Sequence, residues 1–130
     1  MNAIYQNPNT RDAARKQSGR WGEAIAMRSL VAHGYRVIAQ NVEYRDGEID
    51  IVATKGGVLF FVEVKTRADE RWGTAEAVTP AKRHRLLRAA TRFVQMQGLT
   101  GAPSQFDCVV VLGRPGDSTA RIRHYRNIGG

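Results

Sequence analysis

Asp50, Glu63 and Lys65 are the residues of this chain whose types and spacing could do chemistry. Asp50 lies in one β-patterned run, Glu48-Ile-Asp-Ile-Val-Ala, and Glu63 and Lys65 in the next, Val58-Leu-Phe-Phe-Val-Glu-Val-Lys. Lys55-Gly56-Gly57 joins the runs, and Gly-Gly supplies the positive φ angles of a tight type I′ hairpin. With Gly56-Gly57 as a two-residue loop, Lys55 faces Val58, Asp50 faces Glu63 and Glu48 faces Lys65. A four-residue loop keeps this register and a three-residue loop breaks it. Because side chains alternate along a strand, Glu48, Asp50, Glu63 and Lys65 share one face, and Ile49, Ile51, Val62 and Val64 share the other, a core face.

Two carboxylates about 5 Å apart repel, by roughly 3 kcal/mol at an effective dielectric of 20. A divalent cation reverses that sign, because hard cations such as Mg2+ or Mn2+ take carboxylate oxygens. Held by Asp50 and Glu63, such an ion would polarise a phosphate and lower the pKa of water at the site. Lys65, on the same face, is placed to orient the water and stabilise negative charge developing on phosphorus. The alternative is a solvated face with a Glu48–Lys65 ion pair, worth at most about 1 kcal/mol. That alternative leaves Asp50 opposite Glu63 unexplained.

The elements that must position these residues can be read in order. Residues 1–18 are polar, with Asn7-Pro8-Asn9 as a breaker and Thr10 as a cap for a short turn of helix to Lys16. We expect a flexible basic arm here (Arg11, Arg15, Lys16 and, just beyond, Arg20), with one domain over 19–127. The first helix is expected from Ser18 or Gly19 to His33, closed by Gly34. Ala26, Met27, Leu30 and Val31 form its apolar face, and Glu23 shares that face. A buried carboxylate needs a partner, so Glu23 is either a further ligand for the ion or an exposed first-turn acid favoured by the helix dipole.

Tyr35 to Asn41 reads as a strand and Val42 to Asp46 as a linker. Trp72 in the loop after Arg67 either stacks on a base or lids the core. Thr79-Pro80 starts a second helix running to about Gln97. Its inward face is Leu86, Leu87, Ala90, Phe93, Val94 and Gln97; Arg85, Arg88 and Arg92 lie opposite, with Lys82 at the boundary. Gln105 to Leu112 reads as a central strand buried on both faces, and Ala120 to Tyr125 as a basic edge strand. His33, His84 and His124 read as surface residues. The expected fold class is α/β, a single domain in the order α-β-β-β-α-β-β, with a central mixed sheet flanked by helices.

Composition bounds the partner. The 130 residues hold 20 Lys and Arg against 12 Asp and Glu, a net charge of +8 and a pI near 10.4. Eight of the acids fall between Glu43 and Glu76, so an acidic centre is flanked by basic sequence. This suits a polyanion held around a cation site, with Arg20, Arg45, Arg67, Lys82, Arg85, Arg88 and Arg92 as the phosphate-contacting candidates. No membrane-length apolar stretch or secretory h-region occurs. The single Cys108 excludes an internal disulfide. Both observations suit a cytoplasmic protein.

The chain resembles the PD-(D/E)XK nuclease superfamily in Asp50 followed by Glu63-Val64-Lys65, and in its expected element order. More narrowly, it resembles the YraN-like uncharacterised family. The matching pieces are Gly19-Arg-Trp-Gly-Glu23, Leu30 with Gly34-Tyr35, Asn41, Gly47-Glu-Ile-Asp50, Phe61-Val-Glu-Val-Lys-Thr-Arg67, Val78 with Lys82, and Phe106-Asp107. Gln105 stands where the family pattern has arginine. The resemblance implies a restriction-endonuclease-like core, with Asp50, Glu63 and Glu23 as metal ligands aided by the Val64 carbonyl. It also implies Lys65 as a catalytic residue, Glu48 as its support, and metal-dependent hydrolysis of DNA, branched or damaged DNA included. A symmetric dimer would suit a two-stranded cut. Two other classes remain open: a nucleic-acid-binding protein with a nuclease-like fold and no turnover, and a basic module for an acidic protein.

Overall fold

A computed structural model describes residues 10–68 and 79–128. Its order is α1 (Thr10–Ala32), β1 (Arg36–Tyr44), β2 (Gly47–Lys55), β3 (Val58–Arg67), α2 (Pro80–Met96), β4 (Ser104–Leu112) and β5 (Arg121–Tyr125). The strands form one sheet in the order β1-β2-β3-β4-β5. Only β3 and β4, joined through α2, are parallel; the other three pairs are antiparallel. β4, expected as a central strand buried on both faces, is an interior strand beside the edge and is fully buried from Asp107 to Leu112; β5 is an edge strand, as expected, and β3 lies at the centre.

The two helices cover opposite faces of the sheet. Ala26 and Leu30 of α1 pack with Tyr35, Ile51, Ala53, Phe60, Val62, Val64, Val109 and Val111. Leu86, Ala89, Ala90 and Phe93 of α2 pack with Ile49, Val52, Leu59 and Phe61. Thr79 caps α2 by accepting from the Lys82 amide at 3.2 Å, and Pro80 opens its first turn. Val31 and Leu87, expected on the inward faces, are 57% and 53% exposed. Each sits one position round from the buried i, i+3, i+4 stripe, where the helix already turns to solvent.

The β2–β3 hairpin has the expected register: Lys55 pairs with Val58 and Ile51 with Val62. Gly56 and Gly57 both have positive φ, as a two-residue loop of this type requires. Two boundaries differ from expectation. The segment expected as a basic arm is helical from Thr10, because Ala13, Ala14, Arg15, Lys16 and Gln17 are good helix formers and Gly19 does not stop them. Residues 1–9 and Trp72 lie outside the described residues. The expected linker Val42–Asp46 is strand as far as Tyr44, which pairs with Gly47 across an Arg45-Asp46 turn.

Ile49 also departs from its expected face. It packs on the α2 side with Val52, whereas Ile51, Val62 and Val64 face α1. Strict alternation forbids residues three apart from sharing a face, so β2 is broken between them. β1 is broken at the matching place: Ala39 and Val42 both face α2. Asn41 and Asp50 fall opposite each other between the pairs Gln40↔Ile51 and Val42↔Ile49. Asn41 has φ of 49°, the left-handed conformation that asparagine tolerates better than most residues.

Candidate active site

The break in the sheet builds the site. Past Ile51–Val62 the Asp50 carboxylate, rather than β2 backbone, receives the Val64 amide, at 2.8 Å. On the same stretch of β3, Glu63 and Lys65 point away from Val62 and Val64, hence toward the α2 side. They form an ion pair of 3.1 Å with both side chains mostly buried. The Glu48–Lys65 pairing considered from sequence gives way to this one, because neighbours two apart on a strand share a face. Glu48 still lines the same pocket as Glu63, Lys65, Lys82 and Arg85, of about 60 Å³.

Glu23 reaches this neighbourhood through a glycine. A Cβ on Gly22 would fall on Thr66 Oγ1, so α1 approaches the end of β3 closely only because position 22 has none. Thr66 Oγ1 in turn donates to the Ser18 carbonyl at 3.4 Å. The Glu23 carboxyl is held above its ordinary range by burial, partly offset by a hydrogen bond from Asn41, and raised further by the charges of Glu63 and Glu48. Asn41 therefore serves the site twice, by its φ and by its amide. Only the family resemblance marked it in the sequence.

Asp50 carries the largest perturbation of the cluster. Burial first, then the Glu63 charge, push its pKa from the ordinary 3.8 up to about 7. The Val64 hydrogen bond opposes this, and the charges of Glu23 and Glu48 add to it. Glu23, Glu48, Asp50 and Glu63 thus feel one another as like charges. Among the described residues no three His, Cys, Asp or Glu side chains stand in a ready metal-holding group; Glu63 is turned onto Lys65 and Asp50 onto the Val64 amide.

The positive side is built by α2. A Cβ on Gly47 would fall on the Arg85 carbonyl oxygen and lie 3.2 Å from Ala89 Cβ, so the helix backbone sits directly on the first residue of β2. This brings Lys82 beside Lys65 in the same pocket. Burial pulls the Lys65 pKa down, but Lys82 and the Glu63 carboxylate outweigh that and leave it raised. The Lys82 pKa is lowered by burial and by Lys65, with Arg67 adding to the effect and Glu63 only partly offsetting it.

The other basic candidates are dispersed. Arg20, Arg45 and Arg88 are exposed, and Arg67 donates to its neighbour's carbonyl, Thr66 O, at 3.1 Å. Arg92 pairs with Asp46 at 3.6 Å and lies 5.6 Å from the centre of the Tyr44 ring, so it ties α2 to the β1–β2 turn.

The comparisons with known proteins bear on the whole domain. The model of the uncharacterised protein family UPF0102 matches residues 22–111. The chain belongs to that family. A UPF0102 protein of Symbiobacterium thermophilum is 48% identical over 113 residues, 86% of this chain and 95% of the relative. One from Pelotomaculum thermopropionicum is 39% identical over 115 residues, 88% and 96% respectively. A third, from a Nocardioides species, is 42% identical over 119 residues, 90% and 95%. The UPF0102 match begins at Gly22, the residue that admits α1 to β3, and contains Glu23, Asp50, Glu63 and Lys65.

Sequence reasoning missed one further group. Asp107 is 0% exposed and accepts three hydrogen bonds: from His124 Nε2 at 2.8 Å, the Asn127 amide at 2.9 Å and Gln105 Nε2 at 2.9 Å. Burial pushes its pKa up, but these bonds outweigh burial and hold it below the ordinary carboxylate value. His124, expected at the surface, is therefore half-buried on a partner 17 residues away. Gln105, out of the family pattern, uses its amide here. Cys108 is buried, with its thiol pushed up to about 12 chiefly by burial, and no helix among the described residues is long and apolar enough to cross a membrane.

Proposed function

We propose that the protein is a metal-dependent nuclease that hydrolyses phosphodiester bonds in DNA. The observation that carries this reading is the grouping of Asp50, largely buried and raised first by that burial and then by the charges of Glu63, Glu23 and Glu48, with the Glu63–Lys65 pair and Lys82. A cluster of like-charged carboxylates at the end of a sheet is a cost to the fold unless a cation offsets it. The donors are all carboxylate oxygens, which suits Mg2+ or Mn2+. Asp50 and Glu63 would hold the ion, with Glu23 as a further carboxylate, and the ion would supply polarisation of the phosphate and a lowered pKa for water at the site.

The remaining steps belong to the chain itself. Each carboxylate has two oxygens, so Asp50 can keep the Val64 amide and Glu63 the Lys65 ammonium while their remaining lone pairs face the ion. Lys65, oriented by Glu63, would stabilise negative charge as it builds on the phosphate oxygens. Glu48 lines the same pocket and would help steady the lysine. Lys82, Arg85 and Arg67 meet the backbone without reading bases, so the reading includes no sequence specificity.

The test is cleavage of end-labelled single-stranded, duplex and branched DNA with Mg2+ or Mn2+. Asp50→Asn and Lys65→Ala are each expected to lower the rate by about 10²-fold or more, and cleavage that survives both would place the activity elsewhere. One observation favours a second reading, binding without turnover: Glu63 is engaged with Lys65. That reading expects salt-dependent DNA binding, no product with either metal, and unchanged binding in both variants.

A further inference from the structure

A second pocket lies on the other face of the sheet. Its volume is about 200 Å³ and its walls are Ser29, Leu30, His33, Tyr35, Ile122, His124 and Arg126. The end of α1, the start of β1 and the end of β5 supply these residues, and none of them is acidic. The space is several times the roughly 30 Å³ that one water occupies in the liquid.

Existing hydrogen bonds decide which nitrogen of each imidazole is left over. His33 Nδ1 lies 2.7 Å from the Ser29 carbonyl; that oxygen can only accept, so Nδ1 carries the proton and Nε2 is the nitrogen left over. His124 Nε2 lies 2.8 Å from the Asp107 carboxylate, so Nε2–H donates and Nδ1 is left over. The imidazole is held in this orientation by a carboxylate that is itself fixed by Gln105 and the Asn127 amide. Lys55 strengthens the positive character at the rim, donating to the His33 carbonyl at 2.8 Å and lying 4.8 Å from the centre of the Tyr35 ring. The negative end of α1 is already satisfied, since the carbonyls of Ser29, Leu30 and Val31 accept from the amides of His33, Gly34 and Tyr35.

We propose that this pocket is an oxyanion site that takes a phosphate group, bound by Arg126 and by the outward nitrogens of His33 and His124. Nitrogen-bearing side chains from α1 and from the end of β5 line one pocket without an acid among them, which suits a tetrahedral ligand with several acceptor oxygens, and charge-assisted bonds to such a ligand are the strong ones. Each imidazole donates its second nitrogen only when doubly protonated. The group comes either from free phosphate or from the terminal phosphate of a nucleic-acid strand. The site does not depend on the nuclease reading.

The chain's three histidines make the test direct. In ring-proton and carbon NMR of the full chain, inorganic phosphate is expected to move the His33 and His124 signals saturably. His84, on α2 across the sheet, stays still. Arg126→Ala and His33→Gln, which leave the Asp107 network intact, are each expected to weaken binding about tenfold. A short oligonucleotide with a 5′-phosphate that competes with inorganic phosphate, where its 5′-hydroxyl twin does not, identifies a strand end as the source; failure of both to compete identifies free phosphate. The proposal is overturned if His33 and His124 do not move, if all three histidines move together, or if both variants bind as the parent does.

Discussion

At the scale of single residues, the site is a balance of charges that the fold does not close. Asp50 shows this best. Its pKa is raised from 3.8 to about 7, so between those values the folded chain holds a proton that the unfolded chain has lost. Stability therefore falls as pH rises across that window, by an amount of the order of 4 kcal/mol if the whole shift is expressed. Asp50→Asn removes the penalty. Denaturant melts should show the variant more stable than the parent by about 1–4 kcal/mol above pH 7, with the gap closing near pH 4. Mg2+ should raise the melting temperature of the parent at neutral pH and leave the variant unmoved. Glu63, Lys65 and Glu23 were legible in the sequence because strand alternation and helical periodicity are local rules, whereas Asp50, also singled out, lies where the alternation of β2 breaks. The Asp107–His124 bond was not, since its partners lie on neighbouring strands and nothing local couples them.

At the scale of elements, two glycines set the distances. Gly22 lets α1 down onto Thr66, and Gly47 lets α2 down onto β2. The two obstacles differ in kind: Gly22 faces a side chain, Gly47 a backbone carbonyl. Gly22→Ala trades a gain in helix propensity of about 0.5–1 kcal/mol against overpacking of about 1–3 kcal/mol. A second change, Thr66→Ala, should recover most of the loss in thermal melts, which would register as coupling between the two sites. Gly47→Ala has no such rescue, because α2 itself must move. The hairpin register was legible because Gly56-Gly57 defines its turn. The face of Ile49 was not, because period-two reading presumes an unbroken strand, and the break at Asn41 and Asp50 is the feature that makes the site. The true extent of β1 was hidden for a related reason: Arg45-Asp46 reads as linker until Tyr44 is seen paired with Gly47.

At the scale of the molecule, the expected single mixed sheet between two helices is what the chain builds, and its helices divide the labour. α1 brings a carboxylate to the site and α2 brings cations. With a net charge of +8, affinity for DNA should fall with salt. If Arg67, Lys82 and Arg85 are the contacts made, log K against log salt should have a slope of about −2 to −3. Lys82→Ala and Arg85→Ala should each reduce the slope by nearly one unit. Arg92→Ala should leave it unchanged, because that guanidinium is spent on Asp46 and Tyr44. Fluorescence anisotropy across a salt series reads all three variants.

The seating of α2 on Gly47 has a further consequence. The helix is seated on β2, to which it is not adjacent in sequence. Lys82 and Arg85 therefore ride on a body whose position is set by one backbone contact, and any shift of α2 moves both cations together past the carboxylates. Gly47 acts at a distance on the charge balance of the pocket, although it carries no side chain of its own.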